Sequence, residues 1–90
     1  MSAALTFEDM DRLRHMLGVD PRRPAKCWGF RNYYDVGDDA AVASMNRLAA
    51  CGWVEHVKDS IWIATLEGCR AAGLPLLLAA ATVAGGPGRR

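Results

Sequence analysis

The stretch GWVEHVKDSIWIATLEGCRAAG, residues 52–73, decides the fold. Its two short runs, 53–57 and 61–65, carry the branched and aromatic side chains of β-strands: Trp53, Val54 and Val57 on the first, Ile61, Trp62 and Ile63 on the second. Lys58, Asp59 and Ser60 form a fitting tight connection between them, so the pair reads as a β-hairpin. A helix signal follows at once. Thr65 supplies a capping hydroxyl for residues 66–72, Glu67 sits in the first turn, and Gly73 closes the segment.

Upstream, Asp38 offers an N-cap for a helix over residues 39–51, with Gly52 just beyond its end. Ala41, Val42, Met45, Leu48 and Ala49 are expected on its buried side, and Ser44, Asn46, Arg47 and Ala50 on the other. An earlier helix begins at Thr6, with Glu8, Asp9 and Asp11 placed favourably against its positive end. Leu5, Met10, Leu13, Met16 and Leu17 form its apolar stripe, Arg12, Arg14 and His15 enrich its later part in basic groups, and Gly18 stops it.

Between these helices, residues 19–37 read as irregular, because Pro21, Pro24 and Gly29 discourage a continuous helix. Trp28, Phe30, Tyr33 and Tyr34 are expected to pin this loop to the core. A brief strand within 28–34 and a single helical turn both fit. The expected architecture is one α+β domain over residues 1–73, ordered helix, aromatic loop, helix, β-hairpin, short helix. Residues 74–84 follow as an apolar arm or helix, and residues 85–90 as a disordered tail whose side chains cannot offset the entropy of ordering.

Bulk composition narrows the function classes. An apolar fraction of 51% with 23% charged residues suits a folded globule rather than a disordered chain. Eleven basic and ten acidic residues leave a net charge of +1, which weighs against a dedicated non-specific nucleic-acid binder. Three cysteines, Cys27, Cys51 and Cys69, make an odd number with no close pair, unlike an oxidised secreted framework. The start, MSAALTFEDMDR, has neither the basic beginning nor the apolar run of a signal peptide. The apolar run 74–84 is far shorter than the roughly 20 residues a helix needs to span a bilayer. A cytoplasmic protein with reduced thiols and no membrane contact is expected.

Residues 38–73 carry a resemblance. The pattern AVASMNRLAACGWVEHV, a short hairpin tip, then IWIATLEGCRAAG is similar to winged-helix proteins of the multiple-antibiotic-resistance-regulator type. In that family a recognition helix ends near a leucine-x-x-x-glycine turn, here Leu48 to Gly52, and a threonine-x-x-glycine motif, here Thr65 to Gly68, starts the next helix. The resemblance implies base-reading positions at Ser44, Asn46 and Arg47 and a wing contact at Lys58. Terminal helices dimerise in that family, which implies a homodimer through the C-terminal apolar segment. The chain departs from the pattern where the helix supporting the recognition helix belongs, because residues 21–37 fill that place. Its wing is also shorter and less basic. A second, vaguer resemblance spans residues 5–73: a helix ending in His-Met-Leu-Gly, the Arg31-Asn32-Tyr33-Tyr34 block and the closing Ala64-Thr65-Leu66-Glu67-Gly68 look like small proteins of tailed bacteriophages and prophages. It implies a compact accessory protein with no catalytic role.

Two candidate surfaces follow. Arg22, Arg23, Lys26 and Arg31 interleave with Trp28, Phe30, Tyr33 and Tyr34, a pattern that suits phosphate attraction and base stacking. The competing reading packs the aromatics inward and leaves the basic groups as the wet side of a loop. A loop of this length in so short a domain tends to be functional. The second surface is apolar: Leu74, Leu76, Leu77 and Leu78 either cover the domain's own sheet or meet a second copy. No metal is expected, because His15, His56 and the cysteines lack the short spacings that fix two ligands locally. No cofactor or catalysis is expected either, since no phosphate cradle or nucleophile elbow is present and Asp38-Asp39 is explained by capping. The expected function is a non-catalytic binding module whose unidentified partner is a protein, held through Trp28, Tyr33, Tyr34, Leu76, Leu77 and Leu78. The alternative is a transcriptional regulator that binds double-stranded DNA as a dimer.

Overall fold

The computed structural model describes residues 5–29 and 32–85. Helix α1 (Phe7–Met16) starts with a reciprocal capping box. The Thr6 hydroxyl accepts the Asp9 N–H at 3.1 Å, and the Asp9 carboxylate accepts the Thr6 N–H at 3.0 Å. Gly18, at φ 70°, ends the turn that follows the helix. The loop beyond holds a single 3-10 turn at Ala25–Cys27 and then strand β1 (Tyr34–Asp35). The helical turn and the brief strand both form, at neighbouring places.

Helix α2 (Asp39–Ala50) is capped by Asp38, whose carboxylate accepts the Ala41 N–H at 2.9 Å. Strands β2 (Val54–Lys58) and β3 (Ile61–Ala64) form the expected hairpin around an Asp59-Ser60 tip, with Asp59 at φ 49°. Their antiparallel register pairs Val54 with Ala64 and His56 with Trp62, then shifts between His56 and Lys58. The sheet has a third strand, because β1 pairs with the other edge of β3, Tyr34 opposite Trp62. The order is β1-β3-β2. Buried Asn32 extends that edge: its side chain accepts the Ala64 N–H at 2.7 Å and donates to the Ala64 carbonyl at 3.2 Å. One amide side chain thus does the work of a strand residue.

The threonine-x-x-glycine motif docks helix α3 (Leu66–Ala71) against the end of α2. The Thr65 hydroxyl accepts the Gly68 N–H at 3.1 Å and donates to the Gly52 carbonyl at 2.6 Å. A Cβ on Gly68 would lie 1.9 Å from the Trp53 carbonyl oxygen, so only glycine lets the helix approach so closely. Residues 76–85 form helix α4 (Leu76–Gly85), which buries Ala79 and Thr82. The Thr82 hydroxyl donates to the carbonyls of Leu78 at 2.8 Å and Gly29 at 3.2 Å, fastening α4 to the aromatic loop. Residues 86–90, expected as part of a disordered tail, lie outside the described residues, while Gly85 belongs to α4.

Among the described residues the result is an α+β domain of four α-helices and one three-stranded antiparallel sheet. Leu13, Met16, Met45, Leu48, Trp62 and Cys69 lie at the centre of its core. One expectation for α2 is corrected. Val42, placed on the buried side by the sequence, is 37% exposed, and Ser44, placed outside, is fully buried. The buried stripe runs through Ala41, Ser44, Met45 and Leu48, because α2 turns that side toward the polar start of α1.

Candidate functional site

The residues implied as base readers converge on α1. Asp9 is fully buried, and its carboxylate accepts four hydrogen bonds. They come from the Thr6 N–H at 3.0 Å, from the Ser44 hydroxyl, and from Arg47 through Nε at 2.7 Å and Nη2 at 2.8 Å.

 The Ser44 hydroxyl in turn accepts Arg12 Nη1 at 2.8 Å. These bonds fill the lone pairs of the carboxylate, and the forked Arg47 contact is the strong, charge-assisted kind. The Arg47 hydrogen bonds, with smaller help from Ser44 and Thr6, hold the Asp9 carboxyl well below the usual carboxylate range despite its burial. Ser44 and Arg47 therefore join α2 to α1. Of the three implied readers on this helix, Asn46 alone is fully at the surface. Lys58, the implied wing contact, is exposed at the end of β2.

The aromatic loop builds a different kind of surface. The Trp28 indole N–H donates to the Asp20 carbonyl at 2.9 Å, which pins the ring half-buried beside α1. Arg22 folds onto Asp20 through its backbone N–H at 2.9 Å and both ends of its guanidinium at 3.2 Å. The guanidinium hydrogen bonds lower the Asp20 pKa, and the carboxylate raises that of Arg22. Three depressions meet at His15. The largest, an open groove of about 600 Å³, runs between Asp11, Arg14 and His15 on α1 and Val19, Pro21, Trp28 and Gly73 opposite. A second of about 360 Å³ follows Asp20, Pro21, Arg22 and Arg23. A third of about 190 Å³ lies against Tyr33, Tyr34 and Asp35.

No protein-family model, curated protein or solved structure matches the chain. The site is read from its geometry.

That geometry gathers part of the expected partner surface and separates the rest. Trp28, Tyr33 and Tyr34 line depressions that share His15, with Tyr33 40% exposed and Tyr34 half-buried. Leu76, Leu77 and Leu78 line none of these three depressions. Leu77 is 85% exposed on α4, Leu76 is exposed and Leu78 packs partly against the core. Among the basic group, Arg22 is paired to Asp20, Arg23 lines the second depression and Lys26 is exposed; Arg31, with Phe30, lies outside the described residues.

Among the described residues, no three His, Cys, Asp or Glu side chains gather to hold a metal ion, and no helix is long and apolar enough to cross a membrane. Cys51 is exposed, Cys27 half-buried and Cys69 buried, where desolvation pushes its thiol up to about 11. Sequence reasoning missed the buried role of Asp9 and the position of His15 where the depressions meet. A signal for Ser44 was present: it falls three residues after Ala41 and four before Leu48, on the stripe those apolar residues define.

Proposed function

We propose that this chain is a non-catalytic, winged-helix-like binding module that docks a protein partner through the concave face around His15. The carrying observation is the use of α2. Arg47 and Ser44, the side chains that a DNA reader of this type would present, are spent on buried Asp9. Asn46 and Lys58 remain as a sparse base-reading set, and the net charge of +1 adds little general attraction for phosphate. The face around His15 instead combines aromatic rings, a proline and charges of both signs, the composition of a protein-recognition surface.

The helix-strand-helix-hairpin order and the β1-β3-β2 sheet support the winged-helix-like reading, as does the Thr65–Gly68 docking of α3. A small phage or prophage accessory protein acting in the cytosol of its bacterial host fits this reading. The alternative, a dimeric DNA-binding regulator, draws on exposed Asn46, Lys58 and Lys26.

Affinity capture from the host with the intact chain, a Tyr33→Ala variant and a Trp28→Ala variant tests the proposal. One recurrent protein partner, lost with either variant while the circular dichroism spectrum is kept, is the expected result. A partner retained by both folded variants would contradict the proposed face.

A further inference from the structure

The groove of about 600 Å³ holds two charges that form no ion pair among the described residues. Among the described residues, ion pairs join Arg22 to Asp20 and Arg47 to Asp9. Asp11 and Arg14, three residues apart on α1, belong to neither, yet both line the groove. Asp11 is exposed and Arg14 half-buried, so each charge reaches the groove without the desolvation cost of a buried ion. The wall opposite is largely hydrocarbon. The polar edge of Trp28 is already held by the Asp20 carbonyl, and Val19, Pro21 and Ala72 add only apolar side chains.

A volume of about 600 Å³ is ample for one large side chain with its flanking backbone. The groove also shares His15, Val19 and Pro21 with the second depression and His15 with the third, so the three lie side by side. That run favours a chain lying across several subsites over a single small molecule. Charge decides the rest of the occupant's chemistry, because an acid and a base on one wall each attract their opposite.

We infer that the groove between α1 and Trp28 receives an extended segment of the partner protein, in which a large apolar side chain lies between a basic and an acidic residue. The apolar side chain seats against Trp28 and Pro21, the basic residue faces Asp11 and the acidic residue faces Arg14. This inference rests on the protein-docking function proposed above and specifies the chemistry its partner presents.

The test uses a randomised peptide library displayed on filamentous phage, panned against the immobilised full chain and against an Asp11→Lys/Arg14→Glu double variant. Both positions reach solvent, so the double variant is expected to keep the fold, which circular dichroism checks. The intact chain should enrich peptides with an aromatic or large aliphatic residue flanked by opposite charges in one order. The double variant should enrich the reversed order and bind the original peptides at least tenfold more weakly. A synthetic peptide from the first pool should shift the Trp28 indole N–H resonance, assigned with Trp28→Phe.

Peptides that shift Trp28 but show no charge order, or an order unchanged by the double variant, would overturn the inference and leave the docking face standing. Peptides that bind without shifting Trp28 would overturn the inference and count against the face itself. Enrichment of no peptide, or saturable binding of a free zwitterionic amino acid in its place, would also overturn it.

Discussion

Gly68→Ala separates two opposing physical effects at one position. By helix propensity alone, alanine inside α3 is favoured over glycine by about 1 kcal/mol. The structure opposes this, since the new Cβ would lie 1.9 Å from the Trp53 carbonyl oxygen and 2.8 Å from its carbon. Ordinary contact starts near 3.4 Å, so the strand and helix must separate by about 1.5 Å. The same carbonyl accepts the Thr65 N–H at 3.0 Å, and the Thr65 hydroxyl donates to Gly52 at 2.6 Å. Such a separation takes both bonds beyond hydrogen-bond range, at about 0.5–1.5 kcal/mol each. Displaced packing adds about 1–3 kcal/mol. With the propensity gain subtracted, the net loss is about 3 kcal/mol. Urea unfolding followed by tryptophan fluorescence should show a midpoint lowered by roughly 2 M, and a thermal scan a Tm lowered by roughly 12–24 °C. Gly37→Ala is the control, because nothing lies within 4 Å of its added Cβ; its stability should stay within about 0.5 kcal/mol. A Gly68→Ala protein as stable as the parent, or more stable, would refute the packing argument.

The remaining predictions address other parts of the molecule. Asp9 has a folded pKa below its unfolded value, so its stabilising contribution is complete above about pH 4 and is lost as pH falls through and beyond that value. Denaturant titrations between about pH 5 and pH 2 should therefore show a steep loss for the parent and a flatter one for Asp9→Asn, which starts from lower stability. Under native conditions at pH 8, a thiol reagent should modify exposed Cys51 rapidly and leave Cys69, with its thiol at about 11, unreacted until denaturant is added. Gly29→Ala would place a Cβ 2.3 Å from the Thr82 hydroxyl in a backbone of φ 77°, so faster amide exchange across α4 is expected. Leu77→Glu, at an 85% exposed position, should change stability by less than about 0.5 kcal/mol. If α4 meets a second copy, the same variant should shift sedimentation toward the monomer.

The parts of this fold that are legible in the sequence are those fixed by local chemistry. Thr6, Asp38 and Thr65 each announce a helix start, and each side chain accepts the N–H three residues on. The hairpin follows from its branched and aromatic runs and its short tip. Strand β1 was harder to read because it has two residues and borrows the side chain of Asn32 to extend its pairing. The outward placement of Ser44 and Arg47 failed for a different reason. A serine and an arginine on a helix suit solvent unless a buried acid waits across the interface, and Asp9 lies 38 residues from Arg47 in the chain. The convergence of Trp28, Tyr33 and Tyr34 around His15 likewise depends on how the loop folds back on α1, which no local pattern encodes.

The central claim, that the chain recognises protein rather than DNA, is tested most directly by titrating the intact chain with a randomised pool of labelled DNA duplexes across a range of salt. The proposal expects no binding tighter than the ordinary non-specific range of about 10⁻⁴–10⁻⁶ M at physiological salt. It also expects no change on Asn46→Ala or Lys58→Ala, which remove exposed side chains without touching the Asp9 network. Tight duplex binding at physiological salt would contradict it, above all if affinity fell about a thousandfold between 50 and 200 mM salt and weakened further in both variants.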